Sequence, residues 1–367
     1  MKLAIIGASS GQLPIILKAK EMGLETHCFA WLENAVCKDI VDFFHPISIM
    51  EKDTIVDICR NLQIDGVISN ASELTAEIVA YVSEKLGLNG TPYHVLRQLH
   101  DKFIVRKLTE TINGLSSPIF YQYEGVDKGI YPCVIKPCKG SAKAGVSFVK
   151  NKEDFISAIK YAQNVTDGAI VVEEYIAGKE LSVECISFKG EHQVIQITEK
   201  ESSAAPHFVE LGHHQPAAIS LSLKHKIEYI IPKLLKTINF TNGASHIEIK
   251  YENQDIYLIE VNLRGGGDEI SNKLVKMSSG IDYLRCMIEV ALGTFRSPTK
   301  VSEPAYAGIY FLCKQTEKLL PFFEQAKEKE WFIEGVIKNK HLRESCSNYE
   351  RDGYLIYKSN NKISPQI

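Results

Sequence analysis

Short apolar runs alternate with segments of helical periodicity in the first part of the chain. The apolar runs predict strands at residues 2–7, 24–29 and 65–69, and the periodic segments predict helices at residues 12–22, 53–62 and 74–86. Strands that alternate with helices of this length are typical of a parallel sheet with crossover helices. We therefore predict an N-terminal α/β domain over residues 1–92.

The pattern loses this strict alternation after residue 93. A charged amphipathic segment predicts one helix over residues 94–112, and residues 221–238 predict another. Strand-like runs at residues 245–250 and 256–261 flank a polar turn, which predicts a hairpin. The mixture of elements predicts an α+β domain over residues 93–300. A small C-terminal α+β subdomain follows at residues 301–367, with strands at 306–312 and 354–357.

Composition narrows the class of protein. The chain has 367 residues, 45% hydrophobic and 24% charged, which is typical of a soluble globular protein. Its formal net charge of -3 provides no field that attracts nucleic acid or an acidic membrane. The nine cysteines are scattered without a CxxC pair, which favours buried reduced thiols. We expect a cytoplasmic protein that acts on small molecules, with homodimer formation left open.

Two glutamates interrupt the apolar strands of the predicted hairpin. Glu248 lies in the first strand and Glu260 in the second, followed by Asn262. Antiparallel pairing brings the carboxylates and the amide to one face, and burying carboxylates without a cation is very unfavourable. Oxygen ligands of this kind suit Mg²⁺ shared with phosphates. Two solvated strand positions are the plain alternative.

Glycine-rich segments follow two of the predicted strands. Arg264 precedes three glycines, the last of which is Gly267, so the backbone can approach a ligand there while the arginine stabilises negative charge. Upstream, a strand ends at Lys136, and a loop of small residues follows that includes Lys139, Ser141 and Lys143. Such a loop can wrap phosphates with its N–H groups, although its sequence is not that of a P-loop.

A third segment combines a strand with acidic residues. Glu173 ends an apolar run, Tyr175 and Ile176 follow, and Glu180 begins the next strand. An extended linker of this kind can present backbone groups to a purine, with Glu173 accepting from the adenine amino group and Glu180 from ribose hydroxyls. Taken alone, the segment also fits a solvated acidic face.

The order of these pieces resembles the ATP-grasp superfamily over roughly residues 1–300. In that family two α+β subdomains clamp ATP beside an N-terminal α/β domain. The resemblance implies that Lys102 and Lys136 contact the phosphates of ATP beneath the loop at 139–147, and that Glu248, Glu260 and Asn262 bind Mg²⁺ or Mn²⁺. It also implies that Arg264 steadies the transition state.

Within the superfamily, the segment from Pro206 to His213 is similar to one in carboxylate–amine ligases such as L-amino-acid ligases. His207 is expected near the nucleotide, and His213 and Gly267 near the substrate. Asn70, Ser72 and Glu73 follow the third strand, where α/β sheets bind ligands, and complete the expected substrate pocket.

The resemblance implies an ATP-dependent ligase that activates a carboxylate as an acyl-phosphate and joins it to an amine. Bicarbonate activation, as in carboxylases or carbamoyl-phosphate synthesis, is the first alternative. A nucleotide-binding regulatory protein without catalysis is the second. The simultaneous presence of Glu248, Glu260, Asn262 and Arg264 argues against the latter.

Overall fold

A four-stranded parallel sheet forms the N-terminal region of the computed structural model, which describes residues 1–70, 72–140, 144–203, 205 and 208–365. Its elements are β1 (Lys2–Ile6), α1 (Leu13–Glu21), β2 (Glu25–Phe29), β3 (Phe43–His45), α2 (Lys52–Leu62), β4 (Gly66–Ile68) and α3 (Glu73–Leu86). The strands are parallel in the order β3-β2-β1-β4. The chain order reverses at β1, so Asn70, just beyond β4, lies at the edge where such sheets bind ligands. The predicted parallel α/β sheet is confirmed.

A smaller antiparallel sheet comes next. Its elements are α4 (Tyr93–Leu99), α5 (Lys102–Thr109), β5 (Phe120–Gln122), β6 (Cys133–Pro137), β7 (Ser147–Val149), α6 (Phe155–Val165) and β8 (Ile170–Glu174). The strand order is β5-β8-β6-β7. Helix α6 covers one face, because Phe155, Ala158, Ile159 and Ala162 recur at helical spacing and are buried against the sheet.

The single helix predicted over residues 94–112 is wrong, because the chain forms two helices there. Asp101 interrupts the helix and caps the second one, accepting hydrogen bonds from the N–H groups of Phe103 (3.0 Å) and Ile104 (3.2 Å). A side chain that satisfies the first N–H groups of a helix favours a new start over continuation. Lys102 is therefore the first residue of α5.

An eight-stranded antiparallel sheet forms the rest of the molecule. Its elements are β9 (Lys179–Phe188), β10 (Glu191–Ser202), β11 (Glu210–Gln215), α7 (Leu221–Thr237), β12 (Gly243–Glu252), β13 (Asp255–Asn262), α8 (Val275–Ser279), α9 (Tyr283–Ala291), β14 (Tyr306–Leu312), α10 (Leu320–Gln325), β15 (Phe332–Ile337) and β16 (Gly353–Ser359). A π-helical turn (Ile270–Leu274) and 3₁₀ turns (Lys314–Leu319, Ala326–Glu328, Asn348–Glu350) connect them. The strand order is β13-β12-β9-β10-β11-β14-β16-β15.

The C-terminal strands extend this large sheet. Strand β14 pairs with β11, and β16 pairs with β14 and β15. The sequence pattern predicted β14 and β16 but missed β3, β11 and β15. Of these, β3 has only three residues and β11 is rich in polar residues. The domain boundaries after residues 92 and 300 stay predictions.

Helix α9 fastens the N-terminal sheet to the large sheet. Its Met287, Ile288 and Val290 belong to one buried cluster with residues of β1, α1 and β14. The Tyr283 hydroxyl donates to the Cys185 carbonyl of β9 at 2.7 Å, and Lys18 of α1 pairs with Asp282 at 2.8 Å. The residues on both sides of the candidate site are thus held by one continuous core. None of the helices in the described ranges has both the length and the apolar character needed to cross a membrane.

Candidate functional site

The hairpin of β12 and β13 aligns the predicted metal ligands. Glu248 lies directly opposite Glu260, and the Asn262 amide donates to Glu260 Oε2 at 3.4 Å. Asn253 and Gln254 form the two-residue turn with positive φ angles of 50° and 72°, as the tightest hairpin turns require. The residues thus meet as the pattern predicted, and their oxygen atoms suit a hard divalent cation.

A cleft beside this hairpin brings together most of the predicted chemistry. We call it the central cleft, and its polar lining residues are Glu73, His100, Lys102, Arg106, Glu260, Asn262 and Arg264. Lys102 Nζ lies 3.7 Å from Glu260 Oε1 and donates to the Gly140 carbonyl at 2.7 Å. Arg264 Nη2 lies 3.6 Å from Glu73 Oε1. Residues predicted separately for phosphate, metal and substrate therefore share one cleft.

Lys136 and Glu173 form a buried ionic group with Arg106. Arg106 binds both Glu173 oxygens (2.9 and 3.1 Å), and Lys136 Nζ lies 2.7 Å from Glu173 Oε2. Burial opposes the charged form of Glu173, yet Arg106 and Lys136 outweigh it and lower the pKa of Glu173 to about 2. Burial lowers the pKa of Lys136, with Glu173 acting in the opposite direction. Two cations against one carboxylate leave a net positive charge that favours an anion.

The expected contact from Glu173 to adenine does not fit this arrangement. Both carboxylate oxygens already accept from cations, and the residue is only 4% exposed. Sequence reasoning missed Arg106, which looks like an ordinary charged residue of an amphipathic helix. Only the packing of α5 against β8 turns it inward.

An aromatic group surrounds the linker expected to hold the purine. The ring of Tyr175 packs against Phe148 (4.6 Å between centroids) and lies roughly parallel to Phe208 at 6.1 Å. Lys250 Nζ lies 4.8 Å from the Tyr175 ring centroid and donates to the Ile176 carbonyl at 2.8 Å. Flat apolar rings beside a cation suit a planar heterocycle. The contacts of Tyr175 and Ile176 with adenine stay a prediction.

Lys200 forms the centre of an acidic cluster that the sequence pattern did not reveal. Its Nζ lies 2.9 Å from Glu248, 3.1 Å from Glu180 and 3.1 Å from Glu210. Burial opposes the charge of Lys200, but the three carboxylates raise its pKa well above the usual value. Glu180, predicted to bind ribose, and Glu248, predicted to bind the metal, thus contact the same lysine.

A histidine supports Glu248 from the other side. His246 Nε2 lies 3.3 Å from Glu248 Oε1, and its Nδ1 contacts Glu184. Burial would lower the pKa of His246, but Glu184 and Glu248 together outweigh it and raise the pKa to about 9. Burial would likewise raise the pKa of Glu248, whereas Lys200 and His246 hold it well below its ordinary range. Glu248 is therefore ionised near neutral pH, as its predicted role as a metal ligand requires.

His213 faces a second group of carboxylates. Its Nε2 lies 3.3 Å from Glu210 and 3.5 Å from Asp268, and the side chain is 1% exposed. Arg351 Nη1 and Nη2 bind the two oxygens of Asp268 at 2.8 and 2.6 Å. Because Lys200 pairs with both Glu210 and Glu248, this group adjoins the predicted metal ligands. Glu210, Asp268 and Arg351 were not predicted, since they are dispersed along the sequence.

The triple-glycine loop packs against Asn70 of the N-terminal region and against His246 of β12. A Cβ on Gly265 would lie 2.9 Å from Asn70 Oδ1, and one on Gly266 would lie 2.7 Å from His246 Nδ1. Gly266 N–H also donates to Glu184 at 3.2 Å. In contrast, a Cβ on Gly267 would have no atom within 4 Å. The first two glycines are thus required by close packing, and Asn70 reaches the loop from the N-terminal sheet.

The remaining predicted residues are scattered or lie outside the described part of the chain. Lys139 is exposed, and Ser72 begins α3 next to a second pocket. Ser141, Lys143 and His207 lie outside the described residues. Their expected contacts with nucleotide stay predictions.

Comparisons with known proteins agree with this arrangement. Residues 130–273 match the family model of the ATP-grasp domain. An L-amino acid ligase from Bacillus licheniformis has a similar fold, with a TM-score of 0.78 and 22% identity over 98% of this chain and 93% of that one. Residues 130–273 thus carry an ATP-grasp domain, in agreement with the superfamily that the order of the motifs resembles.

Two curated relatives share only a low sequence identity with this chain. An ATP-grasp enzyme of Aspergillus fumigatus is 23% identical over 85% of this chain, and the match spans 63% of that protein's length. A D-alanine–D-alanine ligase of Flavobacterium johnsoniae is 30% identical over 38% of this chain and 44% of its own. These likenesses do not resolve the branch of the superfamily.

Proposed function

We propose that the protein is an ATP-dependent ligase that activates a carboxylate as an acyl-phosphate and joins it to an amine. The central cleft carries this proposal, because it combines Lys102, Glu260, Asn262 and Arg264 beside Glu73 of α3. This set provides cations for phosphate, oxygen ligands for a metal and an arginine for an oxyanion in one place.

Each side chain has a role that follows from its surroundings. Glu248, Glu260 and Asn262 would hold Mg²⁺, which supplies neutralisation of phosphate charge when it is bound. Lys102 and Lys136 hold phosphate oxygens, and the excess positive charge around Glu173 favours that contact. Arg264 orients the substrate carboxylate and stabilises the oxyanion that forms later.

The reaction proceeds in two balanced steps. A carboxylate oxygen attacks the γ-phosphorus of ATP, the new O–P bond forms, and the bond to the leaving ADP breaks. The amine nitrogen then attacks the acyl carbon, a C–N bond forms, and inorganic phosphate leaves while a proton passes to solvent. Water must be excluded between the steps, because it would hydrolyse the acyl-phosphate.

The amine is proposed to bind beside His213. Glu210 and Asp268 present carboxylates there, next to the metal ligands, and an ammonium group is attracted to such a site. The cluster around Lys200, with three carboxylates to one lysine, adds to this attraction.

The test is ADP and phosphate release with ATP and Mg²⁺ across acid–amine pairs, with bicarbonate included as an acid. Release that requires one acid and one amine together is the expected result. The Glu260→Gln variant should lower kcat by at least about a hundredfold, since it removes charge stabilisation from the transition state.

Asp255→Asn, an exposed change in the same hairpin, is the matched control and should retain activity. Release of ADP and phosphate with bicarbonate as the only acid and no amine would contradict the ligase function and indicate a bicarbonate-activating enzyme. Tight ATP binding without release for any pair would contradict catalysis and favour a regulatory protein.

A further inference from the structure

A second pocket lies next to the central cleft, between the N-terminal sheet and α9. Its lining includes the apolar side chains of Val67, Ile68, Leu96, Phe240 and Leu263, together with one face each of α3 and α9. We call it the apolar pocket. Among its described lining residues, Arg264 has the one charged side chain.

Regular elements build the walls of the apolar pocket. Helix α3 contributes Ser72, Ala76, Val79 and Ala80, which share one helix face. Met287, Val290 and Ala291 likewise form one face of α9. Because both helices are anchored in the buried core, the pocket is preformed and has a defined size.

Two hydroxyl groups of its lining, those of Ser69 and Thr91, donate to backbone carbonyls. The Ser69 hydroxyl donates to the Ile6 carbonyl at 2.6 Å, and the Thr91 hydroxyl donates to the Asn242 carbonyl at 3.1 Å. These bonds leave an apolar interior, which favours an apolar occupant.

Arg264 connects the pocket to the central cleft. It lines both, together with Ala76, Leu96 and Leu263. Its Nη1 donates to the Gly265 carbonyl at 3.0 Å, while its Nε is buried and has no hydrogen-bond acceptor among the described residues. An unsatisfied buried donor is unfavourable, and a carboxylate would satisfy it.

We propose that the apolar pocket holds the substituent of the carboxylate substrate, so that the enzyme selects a carboxylic acid with a compact apolar side chain. The carboxylate lies at Arg264 facing the phosphates, and the side chain enters between α3 and α9. This inference rests on the ligase function proposed above and adds the class of acid that it activates.

Hydroxylamine in place of the amine substrate tests the proposal, because it traps acyl-phosphates as hydroxamates and the amine need not be known. The acids are acetate, butyrate, isovalerate and hexanoate, and glycine, alanine, valine and leucine. The expected result is a rise in kcat/KM of about tenfold or more from the smallest acid of a series to its branched members.

Two variants change the pocket in opposite directions. Ala80→Leu fills it and should lower kcat/KM for the preferred acid by about tenfold or more, with a smaller effect on acetate or glycine. Met287→Ala enlarges it and should shift the preference toward longer acids. General damage to the fold would lower kcat/KM for all acids together. Opposite shifts in acid preference between the two variants therefore identify the pocket. An unchanged dissociation constant for ATP shows that each variant is folded.

The outcomes separate the two proposals. The pocket proposal would be overturned if hydroxamate formed at rates independent of side-chain size, or if both variants kept the size preference of the wild type. Either result would leave the ligase proposal intact. No hydroxamate with any acid, despite ATP binding, would overturn the ligase and the pocket with it.

Discussion

Individual charged residues in this protein are defined by their buried partners. Glu173 is the clearest case, since it binds Arg106 and Lys136 with both oxygens and has almost no contact with solvent. A sequence pattern can locate a glutamate at the end of a strand but cannot tell which cations reach it. The same holds for Glu248, whose neighbours Lys200 and His246 come from other strand positions.

Replacing Glu173 tests this residue-scale conclusion. Glu173→Gln leaves two buried cations without their anion, so the free energy of unfolding should fall by about 3–5 kcal/mol. Its folded pKa of about 2 lies below the ordinary 4.5, so the carboxylate stabilises the fold above pH 4.5. That contribution disappears as the pH falls from 4.5 toward 2, and the variant should lack it.

Urea unfolding between pH 2 and pH 7 measures both effects. Glu153→Gln, an exposed change in the same region, should stay within about 0.5 kcal/mol of the wild type. Parallel pH profiles for wild type and Glu173→Gln would show that the ion pairs do not stabilise the fold.

At the scale of elements, strand register and loop packing set the site geometry. The β12–β13 hairpin was predicted from its alternating residues and polar turn, and its register brings Glu248 opposite Glu260 as expected. The three glycines after β13 were predicted to let the backbone approach a ligand. The structure adds that Gly265 and Gly266 are needed because neighbouring side chains leave no space for a Cβ.

Two alanine substitutions in this loop distinguish packing from flexibility. Gly266→Ala forces a Cβ to within 2.7 Å of His246 and 3.0 Å of Glu184, so it should destabilise the protein by about 1–3 kcal/mol. Gly267→Ala meets open space and should change stability by less than about 1 kcal/mol. Thermal unfolding compares them, and equal losses at both positions would contradict the packing account.

At the scale of the whole molecule, the C-terminal segment reaches the candidate site. Arg351 precedes β16, binds both oxygens of Asp268, and lies 3.5 Å from the ring centroid of Phe311 on β14. The segment was predicted to be a small C-terminal α+β subdomain without an assigned role. Its strands continue the large sheet, which brings Arg351 to the end of the glycine loop.

Substitution of Arg351 tests this long-range contact. Arg351→Ala removes a two-pronged charged contact from Asp268, so kcat/KM for the amine should fall by about tenfold or more, with a smaller change for ATP. Arg351→Lys should restore only part of the activity, because lysine cannot form the fork. Steady-state ADP release measures both, with the exposed Arg343→Lys as control. An unchanged KM for the amine together with a lower melting temperature would indicate a purely structural contact.

The sequence by itself determined the parallel N-terminal sheet, the hairpin and the order of the motifs that resemble the ATP-grasp superfamily. These features depend on local periodicity, on turn chemistry and on the spacing of motifs, all of which can be read directly along the chain. The tertiary structure alone decided that Arg106 neutralises Glu173, that Lys200 joins three glutamates, and that Arg351 reaches Asp268. Those contacts join residues far apart in the chain. They form because the packing of sheets and helices removes the charges from water, and a buried charge is stable only beside an opposite charge.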